Sequence, residues 1–284
     1  MGENQLSPYS NRRPSHAAVC GAPALYDLAS GYREIAPHPA LRAFVDRFWI
    51  TTTETTPLPR RILPDGCIDV LIDLGRGRQA LAVGTMTRAI VFEPRAAVRI
   101  AAVRFRPGGA VPFLGVAAAE LTDRTLPCDD IGARWLARAR WDESGDPDAA
   151  VASLQRLLLA RLASLDRPDP IVAHAVASLY GRAPPSIAAL GRALGWSRQH
   201  LARRFHFHVG VSPVKLARVA RLQAAVARLQ RGGGHALAEA AADLGYFDQA
   251  HMARDFRALA GVTPAEARAA AGSIFPIRSL LVDP

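Results

Sequence analysis

Two segments of the sequence, about 50 residues apart, carry side chains that could read the edges of DNA base pairs. In each segment apolar residues recur at i and i+4, so a helix would turn them to one side and its polar residues to the other. Arginine and glutamine can present paired hydrogen bonds to guanine and adenine in a major groove, and alanine lets a helix approach thymine methyl groups. The outward faces would carry Arg198, Gln199, Ala202, Arg203 and His206 in the first segment and Gln249, Ala250, Ala253, Arg254 and Arg257 in the second.

These segments belong to a unit that occurs twice between residues 186 and 264. The first copy places Gly195 in a predicted turn and Ser197 at the N-cap of the following helix. The second copy has Gly245 and Asp248 at the corresponding positions, with one inserted residue between them. A short helix, a tight turn and a second helix form a helix-turn-helix motif, and the sequence predicts two of them.

A single helix is predicted between the two copies, from Pro213 to Arg231, with Ser212 as its N-cap and the glycines at 232–234 as its end. At about 1.5 Å per residue its length is about 28 Å, which could hold two recognition helices roughly one DNA turn apart. Two helix N-termini, at Ser186 and at Thr263, are candidate phosphate-binding sites. At the second of them Glu266 would complete a capping box.

The positive charge of the chain is concentrated in the part that contains the repeat. From residue 171 onward there are 14 basic and 6 acidic residues, a net charge of +8, whereas residues 1–170 have 21 and 19, a net charge of +2. Such a balance implies a polyanionic partner, bound with an affinity that falls steeply as salt rises. Phosphate contacts would position the domain, and the outward helix faces would specify sequence.

The region from about Asp169 to Ala270 resembles the DNA-binding domain of the AraC/XylS family of bacterial transcription regulators. The resemblance is carried by the segments Leu194–Leu201, Arg203–Phe205, Gly210–Pro213, Asp243–Met252, Arg254–Phe256 and Gly261–Pro264. One departure is Met252, where an aromatic residue is more usual, but methionine fills the same apolar slot. The resemblance implies a seven-helix domain with two helix-turn-helix motifs joined by a long helix.

The N-terminal half has the pattern of a β domain. Short runs rich in β-branched residues are separated by turn-forming segments such as Pro64–Gly66 and Gly75–Gly77. Closely spaced strands of this kind favour a small antiparallel barrel or sandwich. Helices are expected near Asp130–Arg140 and over Pro147–Leu165. The apolar stripe of the latter would either cover the barrel or pair with a second copy of itself.

This half resembles the cupin-like sensor and dimerisation domains that precede the DNA-binding unit in many such regulators. The resemblance rests on Leu63–Gly66 and Arg104–Ala110. Asp65, Arg104 and Arg106 would either line a ligand pocket or cap turns and form ion pairs. The expected fold class is therefore α+β and multidomain, with a small antiparallel, cupin-like β-barrel and flanking helices followed by an all-α domain of seven helices.

The expected domains are a flexible arm (1–40), the β-rich sensor or dimerisation domain (41–166), the double helix-turn-helix domain (169–272) and a C-terminal tail (273–284), with a linker at Asp166–Pro170. No basic start followed by a long apolar run is present, and no run approaches the roughly 20 apolar residues of a membrane span. We therefore expect a cytoplasmic, nucleoid-associated protein that does not bind membranes.

Cysteine and histidine patterns favour neither metal binding nor catalysis. Cys20, Cys67 and Cys128 are isolated and lack a C-x-x-C spacing. Of the clustered histidines, His206 and His208 lie two positions apart and would diverge around a helix. We expect no catalytic residue, no metal and no cofactor.

Three functional hypotheses remain open from the sequence. The first is a sequence-specific transcription regulator that reads two successive major grooves of double-stranded promoter DNA, modulated by a small-molecule effector or by homodimerisation, with RNA polymerase as a further partner. The second is a DNA-alkylation repair methyltransferase that uses a cysteine, since such enzymes can carry the same DNA-binding unit. The third is a constitutive DNA-binding protein without an effector.

Overall fold

The computed structural model describes residues 31–53, 60–75, 79–92, 97–139, 141, 145–165, 168–181, 183–230, 237–269 and 274–275. Residues 1–30 of the expected arm, including Cys20, lie outside the described residues, as do positions 166–167 of the expected linker, the glycines at 232–234 and residues 276–284 of the expected tail. In the part of the chain that is described, no helix has the length and apolar character needed to cross a membrane.

The N-terminal domain is built on a six-stranded antiparallel sheet. Its strands are β1 (Tyr32–Ile35), β2 (Val45–Thr53), β4 (Ile68–Asp73), β5 (Ala80–Val83), β7 (Val98–Phe105) and β8 (Thr125–Pro127). They lie in the order β1-β2-β7-β4-β5-β8. β1 lies within the segment for which an arm was expected. Its hydrogen bonds to β2 are made by backbone groups, so a polar sequence can occupy this edge of the sheet.

A second sheet joins the N-terminal domain to the last described residues of the chain. β3 (Arg60–Ile62) pairs antiparallel with β6 (Ile90–Phe92) and parallel with β9 (Ile274–Phe275). β9 falls in the segment expected to be a tail. The predicted antiparallel β domain is confirmed, and the strands that the structure describes are divided between these two sheets.

Alternation along the strands gives the six-stranded sheet one strongly apolar face. Phe48, Val70, Val103 and Phe105 all lie on this face and are fully buried. The face is covered by four helices, α1 (Val111–Leu114), α2 (Ala118–Leu121), α3 (Arg134–Ala137) and α4 (Pro147–Leu162).

Two of these helices test the sequence predictions for this region. α4 buries Val151, Leu154 and Leu158 in the core beside β2 and β7, so its apolar stripe packs within the chain. The expected helix over 130–140 was too long, because residues 129–132 form turns and Gly132 has a φ of +78°, in the left-handed region. Only the short α3 forms there.

The C-terminal domain has seven helices in the described residues, as the resemblance implied. They are α5 (Pro170–Tyr180), α6 (Ile187–Ala193), α7 (Arg198–Val209), α8 (Pro213–Gln230), α9 (Leu237–Asp243), α10 (Gln249–Ala260) and α11 (Pro264–Ala269). The pairs α6–α7 and α9–α10 are the two helix-turn-helix motifs. Ser212 accepts a hydrogen bond from the amide of Lys215 at 3.2 Å, so the predicted start of the long helix is confirmed.

Helix α8 belongs to two hydrophobic cores at once. Its first half contributes Leu216 and Ala220 to a core with Leu201 and Phe205 of α7. Its second half contributes residues to a core with α9, α10 and α11: Leu222, Ala225, Val226 and Leu229. Each helix-turn-helix motif therefore packs against a different length of the same helix.

An ion pair links each recognition helix to the helix that precedes its motif. The recognition helix supplies the basic residue in the first copy and the acidic residue in the second. In the first copy Arg204 of α7 pairs with Asp169, the N-cap of α5. In the second, Asp255 occupies the position equivalent to Arg204 and accepts hydrogen bonds from Arg218 of α8 at 2.7 and 3.0 Å. Asp255 is buried, so Arg218 is the charge that compensates it.

We expect Arg218→Leu to lower the free energy of unfolding by about 3 kcal/mol, because it leaves the Asp255 carboxylate buried without a partner. The double variant Arg218→Leu/Asp255→Leu should recover most of this loss, since it removes both charges. Urea unfolding of the two variants and the wild type measures the difference. Equal destabilisation by the single and the double variant would contradict the importance of the pair.

Candidate nucleic-acid interface

Both helix-turn-helix motifs have the turns and caps that the sequence predicts. Gly195 and Gly245 have φ values of +66° and +70°, in the left-handed region that favours glycine. The Ser197 hydroxyl accepts from the amide of His200 at 3.2 Å, and the Asp248 carboxylate accepts from the amide of His251 at 2.5 Å. These bonds satisfy free amide groups at the start of α7 and α10 and fix where each recognition helix begins.

The recognition helices divide their side chains between a buried and an exposed face, as predicted. Leu201 and Phe205 of α7 and Met252 and Phe256 of α10 are fully buried. The predicted base-reading residues lie on the opposite faces, where the polar ones are exposed and two of the three alanines are half-buried: Arg198, Gln199, Ala202, Arg203, His206, Gln249, Ala250, Ala253, Arg254 and Arg257. Both polar faces are therefore free of packing against the rest of the described chain.

An aromatic ring packs against a histidine at the start of each recognition helix. The ring centroids of Trp196 and His200 lie 4.6 Å apart, and those of Tyr246 and His251 lie 5.4 Å apart. Arg203 donates to Nδ1 of His200 at 3.3 Å. This contact holds the Arg203 guanidinium close to the first turn of α7.

The two predicted phosphate sites are capped helix N-termini. Ser186 accepts from the amide of Ala189 at 3.2 Å at the start of α6. At the start of α11 the amide of Glu266 donates to the Thr263 hydroxyl at 3.2 Å and the amide of Thr263 donates to the Glu266 carboxylate at 2.6 Å. The predicted capping box is confirmed. Phosphate binding at Ser186 and Thr263 stays a prediction.

One residue at this surface was not singled out from the sequence. Phe247 precedes the N-cap Asp248, and the residue is 92% exposed. Its amide donates to Nδ1 of His251 at 3.4 Å, which fixes the backbone beside the start of α10. Phe247 is the most exposed large apolar residue in the described part of the chain, and its position next to the polar face of α10 is the signal that could have identified it.

Two known families match the chain. The family described as "Helix-turn-helix domain" matches residues 190–270, which span both motifs and α8. The family described as "Domain of unknown function (DUF6597)" matches residues 33–127 of the N-terminal domain. The chain carries an AraC-type helix-turn-helix domain. It is accordingly a DNA-binding transcription regulator.

Similarity of the chain to individual proteins is weak. No curated protein matches the chain. Among solved structures, ToxT from Vibrio cholerae is 10% identical, with a TM-score of 0.40, and the match covers 84% of this chain and 96% of that one. A ToxT structure described as bound to an unsaturated fatty acid has a TM-score of 0.37 and 10% identity, with 84% and 93% covered. Likeness at this level bears on neither ligand nor site.

Two of the predicted ligand-binding residues of this AraC-type regulator form a buried ion cluster. Arg104 donates to Asp69 at 2.7 and 2.9 Å, and one of its guanidinium nitrogens lies 3.4 Å from the Asp65 carboxylate. Burial alone would lower the pKa of Arg104, but the carboxylates of Asp69 and Asp65 raise it well above its usual value. Asp65 also accepts from the amide of Cys67 at 2.9 Å. Both side chains therefore hold the turn at 63–67 in place.

The third predicted ligand-binding residue, Arg106, lies at the boundary between the domains. Its Nε donates to the carbonyl of Arg42 at 2.9 Å, and its side chain is 41% exposed. It lines a cleft of about 100 Å³ between the Arg106–Gly109 turn and α5. The wall on the α5 side includes Asp169, Val172, Val176 and Tyr180. Ligand binding by Asp65, Arg104 and Arg106 stays a prediction.

The described cysteines have the properties of buried structural thiols. Burial raises the pKa of Cys128 to about 12 and raises that of Cys67 well above its usual value. A nucleophilic cysteine needs the opposite shift, toward the thiolate. Cys20 lies outside the described residues. No group of three or more histidine, cysteine, aspartate or glutamate side chains suited to a metal ion occurs among the residues whose placement is described.

Proposed function

We propose that this AraC-type regulator places α7 and α10 in two successive major grooves of one promoter operator, and that an effector bound through the N-terminal domain changes this binding. The observation that carries the proposal is the repetition of one arrangement. Two equivalent helices, each with a buried apolar side and an exposed face of arginine, glutamine and alanine, are held on one shared helix.

The side chains on the two exposed faces suit base recognition. Arg203 and Arg254 occupy equivalent positions one turn into their helices, where they would reach guanine O6 and N7. Gln199 and Gln249 lie near the helix N-termini and suit adenine. Small residues beside them, Ala202 and Ala253, allow the helix backbone to come close to the bases.

The length of α8 supports binding to neighbouring grooves. Its 18 residues span about 27 Å at about 1.5 Å per residue. Successive major grooves on one side of DNA are about 34 Å apart. Recognition helices packed against opposite halves of α8 can therefore be spaced for a single duplex. The net charge of +8 from residue 171 onward would add sequence-independent attraction to the phosphates.

The N-terminal domain is the proposed site of effector control. An effector shifts DNA binding only by the difference between its affinities for the binding-competent and binding-incompetent arrangements of the protein. The cleft beside Arg106 lies between the domains, where binding would act on both. At about 100 Å³ it is smaller than the roughly 300 Å³ of an ordinary ligand pocket, so an effector would have to widen it.

The remaining predictions concern location and partners. A protein that reads promoters works where the chromosome lies, so we propose a cytoplasmic, nucleoid-associated location. Homodimerisation and contact with RNA polymerase stay predictions.

Arg203→Ala and Arg254→Ala should each relax sequence preference at one position, in different blocks of the operator. We expect each to lose about 1 to 3 kcal/mol of discrimination there, because the paired hydrogen bonds to one base are lost. Selection of bound DNA from a random pool measures both effects. Arg134→Ala is the matched control. It removes the same charge from the N-terminal domain, where 69% of the side chain is exposed, and should select the wild-type sequences. Wild-type selection by both variants would contradict the proposal.

Phe247 should contact a thymine methyl group in the second block. Replacing that thymine by uracil removes only the methyl, and we expect about fourfold weaker binding by the wild type, from roughly 0.8 kcal/mol per buried methyl-sized group. Phe247→Ala should bind both DNAs equally. Val214→Ala, at another exposed apolar residue, should keep the wild-type difference. An undiminished difference in Phe247→Ala would show that the methyl is contacted by another residue.

A small molecule that raises the thermal unfolding temperature should also change affinity for the selected operator. Arg106→Met should abolish this coupling if the effector binds in the interdomain cleft, because a charged or polar ligand would lose its donor there. Thermal shift screening followed by operator titration with each hit is the measurement. Hits that stabilise the protein but leave operator affinity unchanged would favour a constitutive DNA-binding protein.

A further inference from the structure

The N-terminal domain donates hydrogen bonds to the C-terminal end of the first recognition helix. Thr85 Oγ1 donates to the carbonyl of Val209 at 2.7 Å, and Thr122 Oγ1 donates to the carbonyl of Gly210 at 2.8 Å. Thr85 is fully buried. The approach is close, since a Cβ added at Gly210 would lie 2.7 Å from Thr122 Oγ1 and 2.9 Å from the carbonyl oxygen of Ala118. No other residue type fits at Gly210 without moving α2.

The same domain donates hydrogen bonds to the corresponding end of the second recognition helix. The amide of Ala89 donates to the carbonyl of Leu259 at 2.6 Å, and an Arg61 guanidinium nitrogen donates to the carbonyl of Ala260 at 3.1 Å. Ala260 and Val209 are equivalent positions in the repeat. Carbonyls in the last turn of a helix have no partner within the helix and carry its partial negative charge, so hydroxyl, amide and guanidinium donors suit them.

Between these two contacts, the turn at 63–67 inserts against the middle of the DNA-binding domain. The hydroxyl of Tyr180 donates to the carbonyl of Asp65 at 2.6 Å, and Gln223 of α8 donates to the carbonyl of Pro64 at 2.7 Å. Leu63 is fully buried in the core of the second motif. The N-terminal domain therefore contacts the first motif, the shared helix and the second motif.

We propose that the N-terminal domain sets the spacing and orientation of the two recognition helices, with Arg61, Thr85 and Thr122 as positioning residues that do not touch DNA. The inference rests on the proposed binding of two successive grooves, and it adds how the relative position of the two recognition helices is controlled. The donors to α7 follow β5 and α2, whereas the donors to α10 lie in or beside the second sheet. A shift between these two parts of the N-terminal domain would move one recognition helix relative to the other.

The test is how DNA affinity depends on the separation of the two operator blocks, because residues that only stabilise the fold would not change this dependence. In DNA with about 10 to 10.5 base pairs per turn, each added base pair rotates the second block by about 34° and moves it by about 3.4 Å. The full-length wild type should bind best at one separation of its two blocks. With two base pairs added or removed, affinity should fall at least about tenfold, because one recognition helix no longer faces its groove.

Loss of the positioning donors should flatten this spacing profile. Thr85→Val/Thr122→Val removes two hydroxyl donors at nearly constant volume, and Arg61→Met removes the donor at the other helix. Each variant should bind the two-base-pair-shifted operators within about threefold of the best one, while the bases selected within each block stay those of the wild type. Thr85→Ser/Thr122→Ser keeps both hydroxyls and should restore the sharp profile.

The outcomes separate this inference from the proposed function. A sharp spacing optimum in Arg61→Met and in the threonine-to-valine variant would overturn the positioning role and leave two-groove reading intact. A flat profile in the wild type would overturn the positioning role as well. Failure of the wild type to select any two-block DNA would overturn both. Circular dichroism and urea unfolding identify variants that remain folded. If the double valine variant unfolds, Arg61→Met and the serine variant carry the test.

Discussion

The structure depends on helix α8, which contributes side chains to two separate hydrophobic cores. An 18-residue helix buries apolar side chains against the first motif along one half and against the second along the other. Neither motif is large enough to bury its recognition helix alone, since each contributes two short helices around a few large side chains. Sharing α8 completes both cores and fixes the distance between them.

Polar interactions then define how each motif is oriented on α8. The Arg204–Asp169 and Arg218–Asp255 pairs have opposite polarity at equivalent positions, so each recognition helix matches only its own neighbour. Exchange of one motif for the other would bring like charges together. The N-terminal domain adds donors to the carbonyl ends of both recognition helices and leaves their polar faces open. The buried Arg104 cluster holds the turn that reaches between them.

Local patterns made the DNA-binding domain largely predictable. The glycine turns, the caps at Ser197 and Asp248, and the division into buried and exposed faces depend on residues close together in sequence, whose helical periodicity is visible. The contacts between domains have no such signature. The amide of Ala89 and the carbonyls of Pro64 and Asp65 are backbone groups, which any residue type supplies. β1 and β9 were not predicted for the same reason, because backbone groups make their pairing. Residue type alone could not decide whether Asp65 and Arg104 form ion pairs or bind a ligand.

The central claim, that α7 and α10 occupy neighbouring major grooves of one duplex, is tested most directly by chemical protection of a selected operator. Dimethyl sulfate methylates guanine N7 in the major groove and adenine N3 in the minor groove, so one experiment distinguishes the two. The account predicts two patches of protected guanines on the same side of the DNA, centred about one helical turn apart, with minor-groove adenines between them still reactive. A single protected patch, or protection confined to adenine N3, would contradict it.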